Sequence, residues 1–202
     1  VRAGLFPGVK ANTHFRRKEK SYASKKKSYT RYFDSSIHDR GEIANQRGRL
    51  GDYEGDTVYG SVGKGYLITG VDRQSRLTVA AIARDKTIES TNAAFIAAFR
   101  KAKLVPPITL TLDNGTEFLG FKDLEQALGT KVYFADAHAP WQRGSNENIN
   151  GLIRFFFPRG TDFTKVTDEQ LDAVLELINN RPRKCLGYLS PNEFINKVLH
   201  LA

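Results

Sequence analysis

The stretch PPITLTLDNGTEF, Pro106 to Phe118, decides how the chain is read. Two prolines open it, an alternating run follows, and an acid closes it at a turn. Side chains of a strand alternate between two faces, so Ile108, Leu110 and Leu112 point one way and Thr109, Thr111 and Asp113 the other. Asn114 and Gly115 tolerate left-handed backbone angles and are good turn residues. Asp113 therefore either presents a carboxylate at the end of a buried strand or merely opens a turn.

Outward from this strand the chain alternates in type. On its N-terminal side EGDTVYG, KGYLITGVD and SRLTVAAIA read as three short strands separated by turn residues, an antiparallel meander. KTIESTNAAFIAAFRKAK follows as an amphipathic helix with Ile88, Thr91, Phe95, Ala98, Phe99 and Ala102 on one face. On the C-terminal side come a short helix, FKDLEQAL, and a strand, KVYFAD. NENINGLIRFFF then carries an apolar stripe of Ile149, Leu152, Ile153 and Phe156. A last helix begins at a T-x-x-Q capping box, Thr167 with Gln170, and turns Leu171, Val174, Leu175 and Ile178 inward. The order βββαβαβ followed by helices predicts an α/β fold: a mixed five-stranded sheet with helices on both faces and parallel later strands.

The chain has 202 residues, 40% hydrophobic and 26% charged, ordinary values for a water-soluble domain. No apolar run reaches the ~20 residues of a membrane helix, so no membrane partner is expected. One cysteine, Cys185, cannot form an internal disulfide, which suggests a reducing, cytoplasmic setting. The chain starts at Val1 without Met, and the expectation is a fragment with more protein upstream.

The net charge of +9 is unevenly spread. Residues 1–50 hold 13 basic and 4 acidic side chains, whereas the rest balances at 18 and 18. The densest block, FRRKEKSYASKKKSYTRYF, contains Arg16, Arg17, Lys18, Lys25, Lys26 and Lys27, with Tyr22, Tyr29 and Tyr32 interleaved. Residues 1–50 thus read as a largely irregular basic arm or linker that grips nucleic acid through its phosphates, and 51–202 as the folded domain. The plainer reading of the arm is a solvated linker.

Three acids stand out by position. Asp56 lies in the first strand, Asp113 ends the fourth, and Glu147 opens a helix on a polar stripe shared with Asn150 and Arg154. If the first and fourth strands are neighbours, two carboxylates meet at the sheet. Converging carboxylates repel unless a cation neutralises them, and hard divalent ions favour oxygen ligands. Singly, each acid has a plainer explanation: an edge-strand charge, an Asx turn, a favourable helix-dipole charge. Asp72, Glu117 and Asp136 compete for the same role, and spacing alone does not rank them.

Taken together, RLGDYEGDTVYG, VDRQSRLTVA, TLDNGTEF, PWQRGSNENINGLIR and NNRPRKCLGYLSPNEF resemble the DDE transposases of bacterial insertion sequences, most of all the insertion-sequence-thirty family, with kinship to retroviral-type integrases. The likeness runs from about Ser36 to Asn196. It implies a ribonuclease H-like fold and a triad of Asp56, Asp113 and Glu147 that binds Mg²⁺ or Mn²⁺, as two ions. It also implies two in-line displacements at phosphorus. The first frees a 3′-OH at the element's end. The second is attack of that 3′-OH on target DNA, by a homo-oligomer, a dimer on paired ends, in a bacterial cytoplasm beside the nucleoid. The rivals are a nuclease of the same fold that never joins strands, and a non-catalytic DNA-binding module. Family members usually carry N-terminal helix-turn-helix segments, and no clear one is evident here.

Supporting residues follow from the same motifs. Asn114 and Gly115 let backbone approach DNA or form a plain turn. Arg143 contacts phosphate or makes a salt bridge. Asn146, Asn150 and Arg154 touch DNA or orient Glu147. Arg183 and Lys184, with Arg181, grip phosphate or answer the helix dipole. Trp141 is expected to pack half-buried in its loop rather than stack on a base. His138 is expected on a surface loop, and Glu117 in a supporting or surface role.

Overall fold

In the computed structural model, which describes residues 35–101 and 104–200, the sheet is built from five strands. These are β1 (Asp52–Tyr59), β2 (Tyr66–Asp72), β3 (Thr78–Ala83), β4 (Thr109–Leu112) and β5 (Lys131–Phe134). Helices are α1 (Glu42–Asn45), α2 (Ile88–Lys101), α3 (Phe121–Leu128), α4 (Gly144–Phe156), α5 (Asp168–Asn179) and α6 (Pro191–His200). Strand order is β3-β2-β1-β4-β5. The first three strands pair antiparallel, and β4 lies parallel to both β1 and β5. The expected mixed sheet is therefore present, with the first and fourth strands as neighbours. The basic block containing Arg16, Arg17, Lys18, Lys25, Lys26 and Lys27 lies outside the described residues.

The period-2 pattern sets the two faces. Tyr53, Ile68, Leu110 and Leu112 pack against Phe95 and Phe99 of α2 and Leu124 of α3. Val58, Leu67 and Val71 pack against Ile149 and Ile153 of α4 and Leu171 and Ile178 of α5. Helices thus cover both faces. Gly55 is needed on the α2 side, because a Cβ there would lie 2.5 Å from a Leu112 methyl and 3.1 Å from the Phe95 ring.

Details depart from the sequence reading. Thr167 and Gln170 form the expected capping box. On α4, however, the apolar stripe ends at Phe157 and not Phe156. Phe157 leaves the helix at φ −119° and tucks into the core, while Phe156 stays exposed. Residues 35–50, expected to be extended or partly helical, hold a helical turn (Ile37–Asp39) and α1. They pack on the domain: Ser36 bridges to Phe134, and the Arg73 side chain donates to the Ala44 carbonyl at 3.1 Å. Among the described residues no helix is long and apolar enough to cross a membrane.

Candidate active site

β1 carries acids at alternate positions, Asp52, Glu54 and Asp56, so all three share the α4 face of the sheet. Each meets an arginine from a different segment. Arg49 Nε donates to Asp52 at 3.0 Å, Arg73 forms a buried ion pair with Glu54, and Arg143 Nη1 lies 3.4 Å from Asp56 Oδ1. The inner two carboxylates are fully buried, whereas Asp56 is 21% exposed. Thr109 donates its hydroxyl to Asp52 at 2.7 Å. Arg40 donates to the Thr111 hydroxyl at 2.9 Å, and burial beside Arg73 pushes its guanidinium down to about 10. The ladder changes from structural at its base to accessible at its end.

The β1–β4 register pairs Glu54 with Thr111. Two residues further along each chain stand Asp56 and Asp113, which brings the two carboxylates to the same corner. One guanidinium joins them: Arg143 Nη2 donates to Asp113 Oδ2 at 3.1 Å while Nη1 faces Asp56 and donates to the Gly55 carbonyl at 3.1 Å. Asn150 Nδ2 donates to Asp56 Oδ2 at 2.7 Å. Burial pushes the Asp113 carboxyl up. Arg143 opposes that shift, and Asp56 and Glu117 add to it.

This corner suits a hard cation. Two carboxylates from separate strands face a common point, and a positive group, the guanidinium, stands between them. Glu147 does not join them in this conformation. It is exposed on the first turns of α4, and among the described residues no three Asp, Glu, His or Cys side chains come close enough to hold an ion. The fit therefore rests on Asp56 and Asp113.

The Integrase core domain family model matches residues 47–140, which include Asp56 and Asp113 but not Glu147. The transposase of insertion sequence element IS4351 from Bacteroides fragilis is 38% identical over 198 residues, covering 96% of this chain and 60% of that protein. Transposase InsI of insertion sequence element IS30A from Escherichia coli is 40% identical over 161 residues, covering 80% of this chain and 42% of that protein. The chain is thus similar to transposases of bacterial insertion sequences. A chain of the simian T-cell lymphotropic virus intasome superposes with a TM-score of 0.56 at 20% identity, covering 71% of this chain and 53% of that one. The sheet is thus ribonuclease H-like, as expected. The chain spans about half the length of the curated relatives it matches.

Within this domain the rival acids fall into structural roles. Asp72 is fully buried, accepts from Ser75 Oγ at 2.6 Å and from the Gly51 N–H at 3.1 Å, and has its carboxyl pushed up by burial. Asp136 is exposed and lies 2.8 Å from His38 Nε2. Glu117 is not a surface residue. It is 5% exposed, accepts from Tyr59 Oη at 2.8 Å and pairs with Lys86 at 3.3 Å. It also explains Gly115, whose backbone is extended and not left-handed. A Cβ there would lie 2.6 Å from Glu117 Oε2 and 3.0 Å from Asp113 Oδ1.

The supporting residues divide. Asn114 Nδ2 donates to the Ala135 carbonyl at 2.7 Å, tying the ends of β4 and β5 together. Asn146 is buried, so it faces protein and not solvent, and its side-chain amide has no protein partner. Arg143 makes the salt bridge rather than standing free. Arg154 is half-buried, and its guanidinium is pushed down by burial and by Arg159. Arg183 donates Nη2 to the Ile178 carbonyl at 2.9 Å, and Lys184 is exposed. Trp141, expected half-buried, is 75% exposed. His138 is exposed with φ +63°. Glu54, Arg73 and Arg40 escaped the sequence reading, although the alternation D-x-E-x-D in DYEGD was a usable signal.

Proposed function

We propose that this domain cuts DNA at the ends of a mobile element and joins the freed 3′-OH to target DNA. The observation that carries this reading is the convergence of Asp56 and Asp113 on one positive charge at the corner between β1 and β4. Asp56, Asp113 and Glu147 would hold the divalent ions, Mg²⁺ or Mn²⁺, as a pair. When bound, such ions stabilise the oxygens entering and leaving phosphorus. The chain's own residues do the positioning. Asn150 holds the Asp56 carboxylate in one orientation, Glu54 fixes the first turn of α4, and Gly115, lacking a Cβ, leaves room for the Asp113 and Glu117 carboxylates. In this reading Arg143 balances the aspartates at rest and turns to a DNA phosphate when ions enter. The basic arm of residues 1–50 adds non-specific grip on phosphates. The working unit is a homo-oligomer, a dimer on paired DNA ends, in the cytoplasm at the nucleoid.

The deciding assay supplies a pre-cut element end, target DNA and Mg²⁺. Joined product is expected, and Glu147→Gln is expected to abolish cutting and joining while DNA binding persists. Cutting without joining would make the protein a nuclease. Normal cutting by Glu147→Gln would remove Glu147 from the site.

A further inference from the structure

A second basic site lies on the opposite flank of α4. Ser145, Asn148 and Ile149 fall on one stripe of this helix, while Glu147, Asn150 and Arg154 fall on another. On the first stripe a pocket of about 220 Å³ is lined by three arginines, Arg47, Arg76 and Arg183, and by no acid. They come from three separate places: the turn after α1, the β2–β3 turn, and the segment after α5. Arg76 donates to the Ser145 hydroxyl. The Arg183 Nε is buried and has no protein partner.

The arginines are held in place by the fold. Arg47 and Arg76 both adopt left-handed backbone, at φ +58° and +64°. Arg47 follows α1, where the Gly48 N–H donates to the Ile43 carbonyl at 2.8 Å, and Arg76 closes the β2–β3 turn, where its N–H donates to the Asp72 carbonyl at 2.9 Å, so both side chains start from fixed backbone. Burial and Arg181 also push the Arg183 guanidinium down. Three guanidinium groups around one space repel until an anion enters, and their planar forks match phosphate oxygens.

We propose that this pocket seats a backbone phosphodiester of the bound DNA and so fixes the register of α4, with Glu147 on its far side, along the duplex. The proposal rests on the DNA reading given above. A free small anion shares the same chemistry, and the test separates the two.

The chain's single cysteine, Cys185, is exposed and lines this pocket, so it reports on the site directly. Alkylation of Cys185 is followed in the whole chain, without divalent ions, with a linear duplex or with inorganic phosphate. Saturating duplex is expected to slow alkylation about tenfold by covering the thiol, and phosphate is expected to leave it unchanged. The double variant Arg47→Gln, Arg76→Gln is expected to keep its melting temperature and to lose this protection while still bound to DNA through other contacts. Its slope of log binding constant against log salt is expected to fall by about 0.9 for the phosphate released. Unchanged alkylation in wild-type protein that demonstrably binds duplex would overturn the pocket and leave the DNA reading standing. Protection by phosphate equal to that by duplex would reassign the pocket to small anions. Failure of wild-type protein to bind duplex at all would overturn both readings.

Discussion

The Glu54 carboxylate accepts the backbone N–H of Ser145 at 2.9 Å and that of Asn146 at 3.3 Å, so the strand that carries Asp56 also caps the helix that carries Glu147. The other Glu54 oxygen pairs with Arg73 in the interior. Glu54→Ala leaves Arg73 buried without its partner and is expected to cost about 3–5 kcal/mol in urea unfolding. Glu54→Gln keeps an acceptor for the helix N–H groups. It is expected to unfold later than the alanine variant and to recover part of its strand joining. Equal joining by the two variants at matched folded fraction would show that the cap does not position Glu147.

Arg143 competes with cations for the same two carboxylates. Arg143→Ala is expected to raise Mn²⁺ affinity roughly tenfold, since a hydrogen bond to a charged group is worth ~1.5–3 kcal/mol and these partners are partly exposed. Titration calorimetry or Mn²⁺ resonance on the free protein reads this without any reaction. Unchanged affinity would mean that Arg143 and the ion occupy different places.

Asn150 touches Asp56 through its amide nitrogen alone among the contacts seen here. Asn150→Ala is expected to reduce joining about 10–100-fold, the usual effect of losing a partner that orients a ligand. Its melting temperature should barely move. A variant that joins at the wild-type rate would show that Asp56 needs no such support.

Gly55 precedes Asp56 on β1 and faces the opposite, α2 side of the sheet. Gly55→Ala forces a methyl against Leu112 and Phe95, and overpacking of this kind costs about 1–3 kcal/mol. The expected outcome is a lower urea midpoint with an unchanged slope. A stability gain would mean that the sheet and α2 separate more easily than their packing suggests.

Local alternation carried most of the fold. Thr109, Thr111 and Asp113 stand on the face the sequence assigned them, because a buried strand leaves its period-2 pattern no freedom. What escaped is long-range. Nothing near Glu54 in the chain announces Arg73 or the Ser145 N–H, which lie 19 and 91 positions away. Phe156 and Phe157 exchanged roles because the helix ends between them, and helix ends are decided by packing more than by period. Glu117 was expected in a supporting or surface role, and the sequence shows no partner for it. Its burial depends on Tyr59 and Lys86, which come from the far side of the meander.

The acid ladder on β1 has a consequence for how this protein decays under mutation. Its inner rungs, Asp52 and Glu54, hold the fold, whereas the outer rung, Asp56, is partly open to water and answers to a single arginine. Random change at the inner rungs lowers the population of folded protein. Change at the outer rung leaves a folded but silent copy. Drifting copies of the gene should therefore retain Asp52 and Glu54 long after Asp56 has been lost, and a survey of degenerate sequences would reveal that order.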